Sequence, residues 1–251
     1  MRLAFPDWSA YLPAARFPAP RRGNRRRMSS QPSTASNAAL YERRFSAEDR
    51  RAKDALWRVL CQDFFQRWVP SDARVVDLGA GLCEFVNHIR AGEKWAVDTD
   101  PELPLRAAPG VRVRCGPADD LGWLDSASVD VVFASNLFEH FMTKHDLVAT
   151  LREVHRVLRP GGRILVLGPN IRYASRVYWD FFDHHLPLSD RSMAEALEVN
   201  GFTLEHVRAR FLPYTIKSRF PRWPVLVQLY LRCSPLHYVF GKQMFLVAVR
   251  P

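Results

Sequence analysis

The sequence predicts an α/β fold, a doubly wound and mostly parallel sheet with helices on both faces. Three observations carry that expectation. Short apolar runs alternate with stretches of helical periodicity along most of the chain, the pattern of a sheet covered on both sides. One run, Val75-Val76-Asp77-Leu78, leads straight into Gly79-Ala80-Gly81 and a helix start at Leu82-Cys83-Glu84-Phe85. The 251 residues, 47% of them apolar, suit one such domain with additions.

Residues 1–38 mix Pro, Arg, Ser and Ala without apolar periodicity and read as a disordered basic tail. Met28, directly after Arg25-Arg26-Arg27, is an alternative start that would leave residues 1–27 upstream of the protein. An Arg-rich, acid-poor leader also has the composition of a transit peptide. The folded domain is expected over 39–251. Ser46-Ala47-Glu48-Asp49 reads as a capping box opening a helix with Leu56, Val59, Leu60 and Phe64 on its apolar face, stopping near Pro70.

After the first strand and the glycine turn, Trp95-Ala96-Val97-Asp98-Thr99 reads as a second strand ending in an acid, and Val111 to Cys115 as an alternating third. Val129 to Ser135 reads as the fourth. Thr143 with Asp146 boxes a helix whose inner face is Leu147, Leu151, Val154 and Leu158, ended by Pro160-Gly161-Gly162 ahead of the fifth strand. Ser189-Asp190 caps a further helix, with Met193, Ala196 and Leu197 inward and a close at Asn200-Gly201. Phe202 to Phe211 and Gln243 to Val249 read as the last two strands.

The intervening residues 212–241 are rich in aromatics and proline, and connections longer than about 12–15 residues are usually functional. Their apolar centre, Trp223 to Leu231, is framed by Lys217, Arg219, Arg222 and Arg232. This insertion reads as a substrate lid or as a patch touching an anionic membrane surface. A helix that simply packs on the domain, or on a dimer partner, is the plainer alternative.

The net charge of +10 is uneven. Residues 1–27 hold seven Arg and one Asp, residues 206–251 hold eight Lys or Arg and no acid, and the stretch between them is mildly acidic. Basic ends fit a nucleic acid, an anionic membrane or plain solvation. The four cysteines are widely separated and form no metal pair, so they read as reduced thiols of a cytoplasmic protein. No run approaches the roughly 18 apolar residues needed to span a bilayer, which leaves peripheral contact with the inner membrane face as the membrane option.

The chemistry is concentrated at the glycine turn. Two glycines let the backbone turn tightly and approach a ligand. Asp77 just before them, and Glu84 where a dinucleotide fingerprint has its third glycine, argue against a phosphate cradle, which wants bare N–H groups and positive potential. A cationic nucleoside without phosphates fits better. With an acid ahead of Gly-x-Gly, Asp98 closing the second strand, the Gly116-Pro117-Ala118-Asp119 segment, the Ser135 to His140 strand exit and the Pro160-Gly161-Gly162 turn, the chain resembles the class I S-adenosylmethionine-dependent methyltransferases, in their small-molecule, type 11-like branch.

That resemblance covers roughly residues 70–251 and implies a Rossmann-like sheet closed by a C-terminal antiparallel strand. It implies S-adenosyl-L-methionine as cofactor. By resemblance, Asp77, Gly79, Ala80 and Gly81 would hold the methionine part. Asp98 and Thr99 would face the ribose, Ala118 and Asp119 the adenine, and Asn136 would lie below the sulfonium. The segment Pro169-Asn170-Ile171-Arg172-Tyr173 resembles members acting on small molecules, quinone precursors and sugars.

An oxygen acceptor needs positioning and sometimes a general base. The candidates are His140 at the fourth-strand exit and His184 and His185 in Phe181-Phe182-Asp183-His184-His185, where Asp183 could orient an imidazole. Metal-dependent relatives show Glu-x-x-Glu-His at this exit. Here the run is Asn136-Leu137-Phe138-Glu139-His140, so one acid is missing and no metal is assigned, although Glu139, His140 and His184 remain a mixed donor set. The leading expectation is O-methylation of a small-molecule, sugar or lipid-linked acceptor. An RNA methyltransferase, with its salt-dependent phosphate contacts, and a non-catalytic cofactor-binding scaffold are the alternatives. A nicotinamide oxidoreductase is disfavoured by Asp77 and Glu84.

Overall fold

A computed structural model describes residues 47–214 and 224–251. The residues before 47, including the expected tail and the Ser46 cap, lie outside the described set, as do Lys217, Arg219, Arg222 and Trp223 of the insertion. Seven strands form one sheet in the order β3-β2-β1-β4-β5-β7-β6. They are β1 (Arg74–Leu78), β2 (Glu93–Asp98), β3 (Val111–Cys115), β4 (Val129–Ser135), β5 (Leu158–Pro169), β6 (Thr203–Arg208) and β7 (Gln243–Val249). β1 pairs in parallel with both β2 and β4, and β7 runs antiparallel between β5 and β6. The doubly wound sheet with its C-terminal antiparallel strand is therefore present.

Alternation along the central strands sends successive side chains to opposite faces. Val75, Val131, Phe133, Leu165, Phe245 and Val247 pack with helix α1 (Ala47–Asp63) on one face. Val76, Leu78, Val132, Ala134, Ile164, Val166 and Leu246 pack on the other. There they meet α4 (Lys144–Val157) and α6 (Asp190–Val199). Burial on both faces is why β1 and β4 read as continuous apolar runs. The edge strands β3 and β6 are half exposed and carry Arg112, Arg114, Glu205 and Arg208, charges that discourage edge-to-edge pairing.

Local signals match several boundaries. Thr143 accepts from the Asp146 N–H while Asp146 reaches back, a complete capping box for α4. Ser189 and Ser192 do the same for α6. Two expectations need adjustment. Helix α1 ends at Asp63 and gives way to a 3-10 turn at Phe65–Trp68, short of Pro70. Pro160-Gly161-Gly162 does not follow α4 as a free turn but lies inside β5. Leu158 pairs with Val129 and Arg163 with Val131, so residues 159–162 bulge out of the ladder. Gly161 N–H donates to the Arg250 carbonyl and Arg250 N–H to the Gly162 carbonyl, which holds the bulge against the chain end.

The described part of the insertion is two helices, α7 (Pro224–Arg232) and α8 (Ser234–Phe240). Val227, Tyr230 and Leu231 are buried in the α1-side core with Phe64 and Phe211. The Tyr230 hydroxyl donates to the Phe211 carbonyl. Val225, Leu226 and Leu229 on α7, and Tyr238, Val239 and Phe240 on α8, are exposed. These two helices thus pack on the domain by one face and present apolar side chains outward. No described helix is long and apolar enough to cross a membrane. The remaining short helices are α2 (Glu84–His88), α3 (Leu103–Arg106) and α5 (Ile171–Tyr178).

Candidate active site

In an open α/β sheet, ligands bind beyond the carboxyl ends of the strands where the winding reverses. Here the reversal lies between β1 and β4, since β2 and β3 extend one way and β4 and β5 the other. The glycine turn leaves β1 at that point. Gly79 and Gly81 take φ of +73° and +52°, left-handed values that favour glycine. The Gly79 and Ala80 N–H groups donate to the Val97 carbonyl at 2.8 and 3.0 Å. Leu137, from the β4 exit, stands so close to Gly79 that a Cβ there would meet Leu137 Cδ1 at 2.8 Å. A Cβ on Gly81 would meet nothing within 4 Å, so the turn is closed beneath and open above.

The two acids differ in setting. Asp77 is buried, and its Oδ2 accepts from the Val86 N–H at 3.3 Å. Burial, with Glu84 and Asp98 nearby, holds its carboxyl well above the ordinary range. Asp98 is partly buried; Oδ2 accepts from Gly81 N–H at 2.8 Å and Oδ1 from Asp100 N–H at 3.0 Å. Each carboxylate oxygen offers about two acceptor sites, so each of the Asp98 oxygens retains one. The neighbouring Thr99 is exposed. Asn136, with φ +49°, leaves β4 through the bond from its N–H to the Leu167 carbonyl. Beyond β3, Ala118 packs against the core and Asp119 stands exposed.

The histidine candidates divide. His140 and His184 meet, with ring centroids 5.1 Å apart and planes at 75°. His140 Nδ1 lies 2.9 Å from the Asp183 carbonyl and 3.4 Å from its carboxylate. Asp183 therefore orients His140 across the fold. His184 is buried, stacked on Phe181 with centroids 5.0 Å apart. The Tyr214 hydroxyl lies 3.3 Å from both of its ring nitrogens. His185 is exposed; its backbone N–H and that of Leu186 donate to the Glu139 carbonyl, which ties the loop to the β4 exit. Glu139 itself is buried, and burial drives its carboxyl up to about 7.

Glu139, His140 and His184 each offer a ligand atom within 4.8 Å of the others. Tyr214 was missed in the sequence, where it is one aromatic among many in the insertion. Asn170 serves the fold: its side chain caps α5 at the Arg172 N–H and donates to Asp190, which Arg172 also pairs. The small-molecule resemblance drawn on that segment finds a buried polar clamp there.

Comparison with known proteins agrees with this fold. A family model described as a methyltransferase domain matches residues 76–166. The chain is similar to the demethylmenaquinone methyltransferase of Mycobacterium marinum, 30% identical over 160 residues that make up 62% of this chain and 68% of that protein. Among solved structures, an S-adenosylmethionine-dependent methyltransferase from Archaeoglobus fulgidus aligns with a TM-score of 0.62 at 19% identity, covering 85% of this chain and 99% of that one. A geranyl diphosphate C-methyltransferase from Streptomyces coelicolor, solved with Mg2+, geranyl diphosphate and S-adenosyl-L-homocysteine, aligns with a TM-score of 0.54 at 19% identity, covering 82% of each chain.

Proposed function

The chain belongs to the class I S-adenosylmethionine-dependent methyltransferases, and on that premise we propose that it methylates an oxygen of a small, lipid-linked acceptor. S-adenosyl-L-methionine is the cofactor, and it supplies a methyl group on a sulfonium. The described residues fit such a ligand. The space above Gly81 admits backbone approach, Asp98 keeps acceptor capacity for two ribose hydroxyls, and Asp77 and Asp98 supply negative charge for a cation. In this reading Asp77, Gly79, Ala80 and Gly81 hold the methionine part, Asp98 and Thr99 the ribose, Ala118 and Asp119 the adenine, and Asn136 the region below the sulfonium.

The transfer is an in-line displacement. The acceptor oxygen forms the new bond to carbon, the carbon–sulfur bond breaks with its electron pair left on sulfur, and the hydroxyl proton passes to a base. The leaving thioether is neutral, so no acid is needed. Alignment can supply roughly 7–11 kcal/mol, and a positioned base adds typically 10²–10⁴-fold. His140, His184 and His185 are the candidate bases.

The observation that carries the acceptor class is the contact of His184 with Tyr214. It ties the histidine loop to the start of the segment that goes on to expose Val225, Leu229, Val239 and Phe240, apolar side chains that suit an acceptor with an apolar tail. The demethylmenaquinone methyltransferase relative supports a lipid-linked ring. The experiment is transfer from methyl-labelled S-adenosylmethionine into cell extract, split into lipid and aqueous fractions. Label should enter the lipid fraction as a methyl ether. Label confined to RNA or protein would overturn the acceptor class, and a carbon-methylated ring would overturn the atom.

A further inference from the structure

We propose that Glu139, His140 and His184 form a binding site for one divalent transition-metal ion of the zinc, manganese or cobalt type. This deepens the reading above, on which the ion's catalytic role rests, and it assigns an ion to the mixed donor set that sequence analysis left without a metal.

The set is built from two distant stretches. Glu139 and His140 leave β4 in a single 3-10 turn, and His184 arrives from the loop 44 residues beyond His140. Their ligand atoms all lie within 4.8 Å of one another. In a tetrahedral site, ligands about 2.1 Å from the ion stand about 3.4 Å apart, so closure requires side-chain shifts of up to about 1.4 Å, within reach of small rotations of the three side chains. The loop is already fixed to the β4 exit by the bonds from the His185 and Leu186 N–H groups to the Glu139 carbonyl.

The surroundings have the features of a ligand shell. A metal-binding imidazole ordinarily donates its other N–H to a carbonyl or carboxylate, which fixes its tautomer and its aim. His140 does this with Nδ1 and Asp183, leaving the Nε2 lone pair for an ion. Glu139 is a buried carboxylate for which no lysine or arginine ion pair occurs among the described residues. Burying a charge is costly unless it is paired or coordinates a metal. Two imidazoles and one carboxylate suit borderline transition ions, whereas calcium and magnesium favour all-oxygen sites.

Three protein ligands leave coordination positions open. An acceptor hydroxyl taking one of them would be more acidic, because the ion stabilises the oxygen's negative charge. His140 and His184 then act as ligands rather than bases, and the hydroxyl proton leaves to the exposed His185 or to solvent.

The test uses the full-length, tag-free protein, stripped with chelator and titrated with Co2+ and Mn2+. We expect one equivalent of Co2+ to bind with visible ligand-field bands. His140→Gln and Glu139→Gln should each weaken it at least about 10-fold, and the exposed His145→Gln should not. S-adenosylhomocysteine binding, which uses none of the three residues, reports that each variant is folded. If Glu139→Gln fails that control, His140→Gln alone decides. Absence of stoichiometric binding, or binding unchanged by His140→Gln, overturns the site. Chelator-insensitive O-methylation with no bound ion would sink the site and leave the reaction standing. A bound ion sensitive to His140→Gln in a protein without O-methyl product would do the reverse.

Discussion

At the residue scale, Asp77 sets ligand recognition against stability. A carboxyl held above its ordinary range by burial is costlier ionised in the folded chain than in the unfolded one. Its penalty is absent below the unfolded pKa of about 3.9 and grows as pH rises towards the higher folded value. Asp77→Asn keeps an oxygen for the Val86 N–H and removes the charge. We expect the ligand-free variant to melt a few degrees higher at neutral pH, since each kcal/mol is about 2–4 °C in a domain of this size, and to bind S-adenosylhomocysteine more weakly. A lower melting temperature would show that the carboxylate is stabilised by something else. Asp98 is held differently, with both oxygens engaged by backbone N–H groups of the site. Loss of charge-assisted hydrogen bonds worth about 1.5–3 kcal/mol each predicts that Asp98→Ala lowers S-adenosylhomocysteine affinity about 10–100-fold by calorimetry; equal affinity would refute the ribose assignment. At Gly79, an alanine would be held at φ +73° against Leu137. The left-handed backbone alone costs about 1–2 kcal/mol, so Gly79→Ala should lower stability and displace the β4 exit, read as a lower denaturation midpoint.

At the scale of elements, the segments the sequence specified locally are those the structure returns. Thr143 with Asp146 and Ser189 with Ser192 start their helices because each box is satisfied within four residues. The glycine turn and the acid of β2 were legible for the same reason, since a strand, a tight turn and a helix start are consecutive in the chain. What escaped depends on distant partners. Pro160-Gly161-Gly162 reads as a turn, yet Arg250 at the far end of the chain holds it within β5. Asp183 reads as an orienting group for the histidines beside it, and its contact with His140, 43 residues away, was not legible. The packing of α8 is of this kind too. His237 is buried, donates through Nε2 to the Tyr230 carbonyl and lies with Nδ1 3.0 Å from Arg208, so the neutral ring fits. Burial lowers its pKa, aided by the Arg208 charge. Its contribution is therefore complete above the unfolded pKa of about 6.5 and lost as pH falls through the lower folded value. Melting temperature should drop on acidification across that window, and His237→Gln, which cannot protonate, should flatten the dependence. An unchanged slope would show that other groups dominate.

At the scale of the whole molecule, charge and apolar exposure converge on the C-terminal stretch. Residues 206–251 carry eight Lys or Arg and no acid, while α7 and α8 expose Val225, Leu226, Leu229, Tyr238, Val239 and Phe240. A stretch that combines exposed apolar side chains with many basic residues and no acid has the composition of an interfacial membrane contact, with about 1 kcal/mol of attraction from each Lys or Arg near an anionic surface. An enzyme whose acceptor is lipid-linked gains from such contact, because the acceptor then reaches the histidine loop without crossing bulk water. The prediction is that the protein sediments with vesicles containing anionic phospholipid far more than with zwitterionic ones, and that added salt weakens the association as the charges are screened. Leu229→Glu combined with Val239→Glu replaces two exposed side chains and leaves the packed face of Val227, Tyr230 and Leu231 intact. That variant should lose vesicle binding while keeping S-adenosylhomocysteine affinity and melting temperature. Vesicle binding equal to wild type would remove the membrane from the account. A change in oligomeric state on substitution, with no vesicle binding in either protein, would make the same face a contact between copies of the chain.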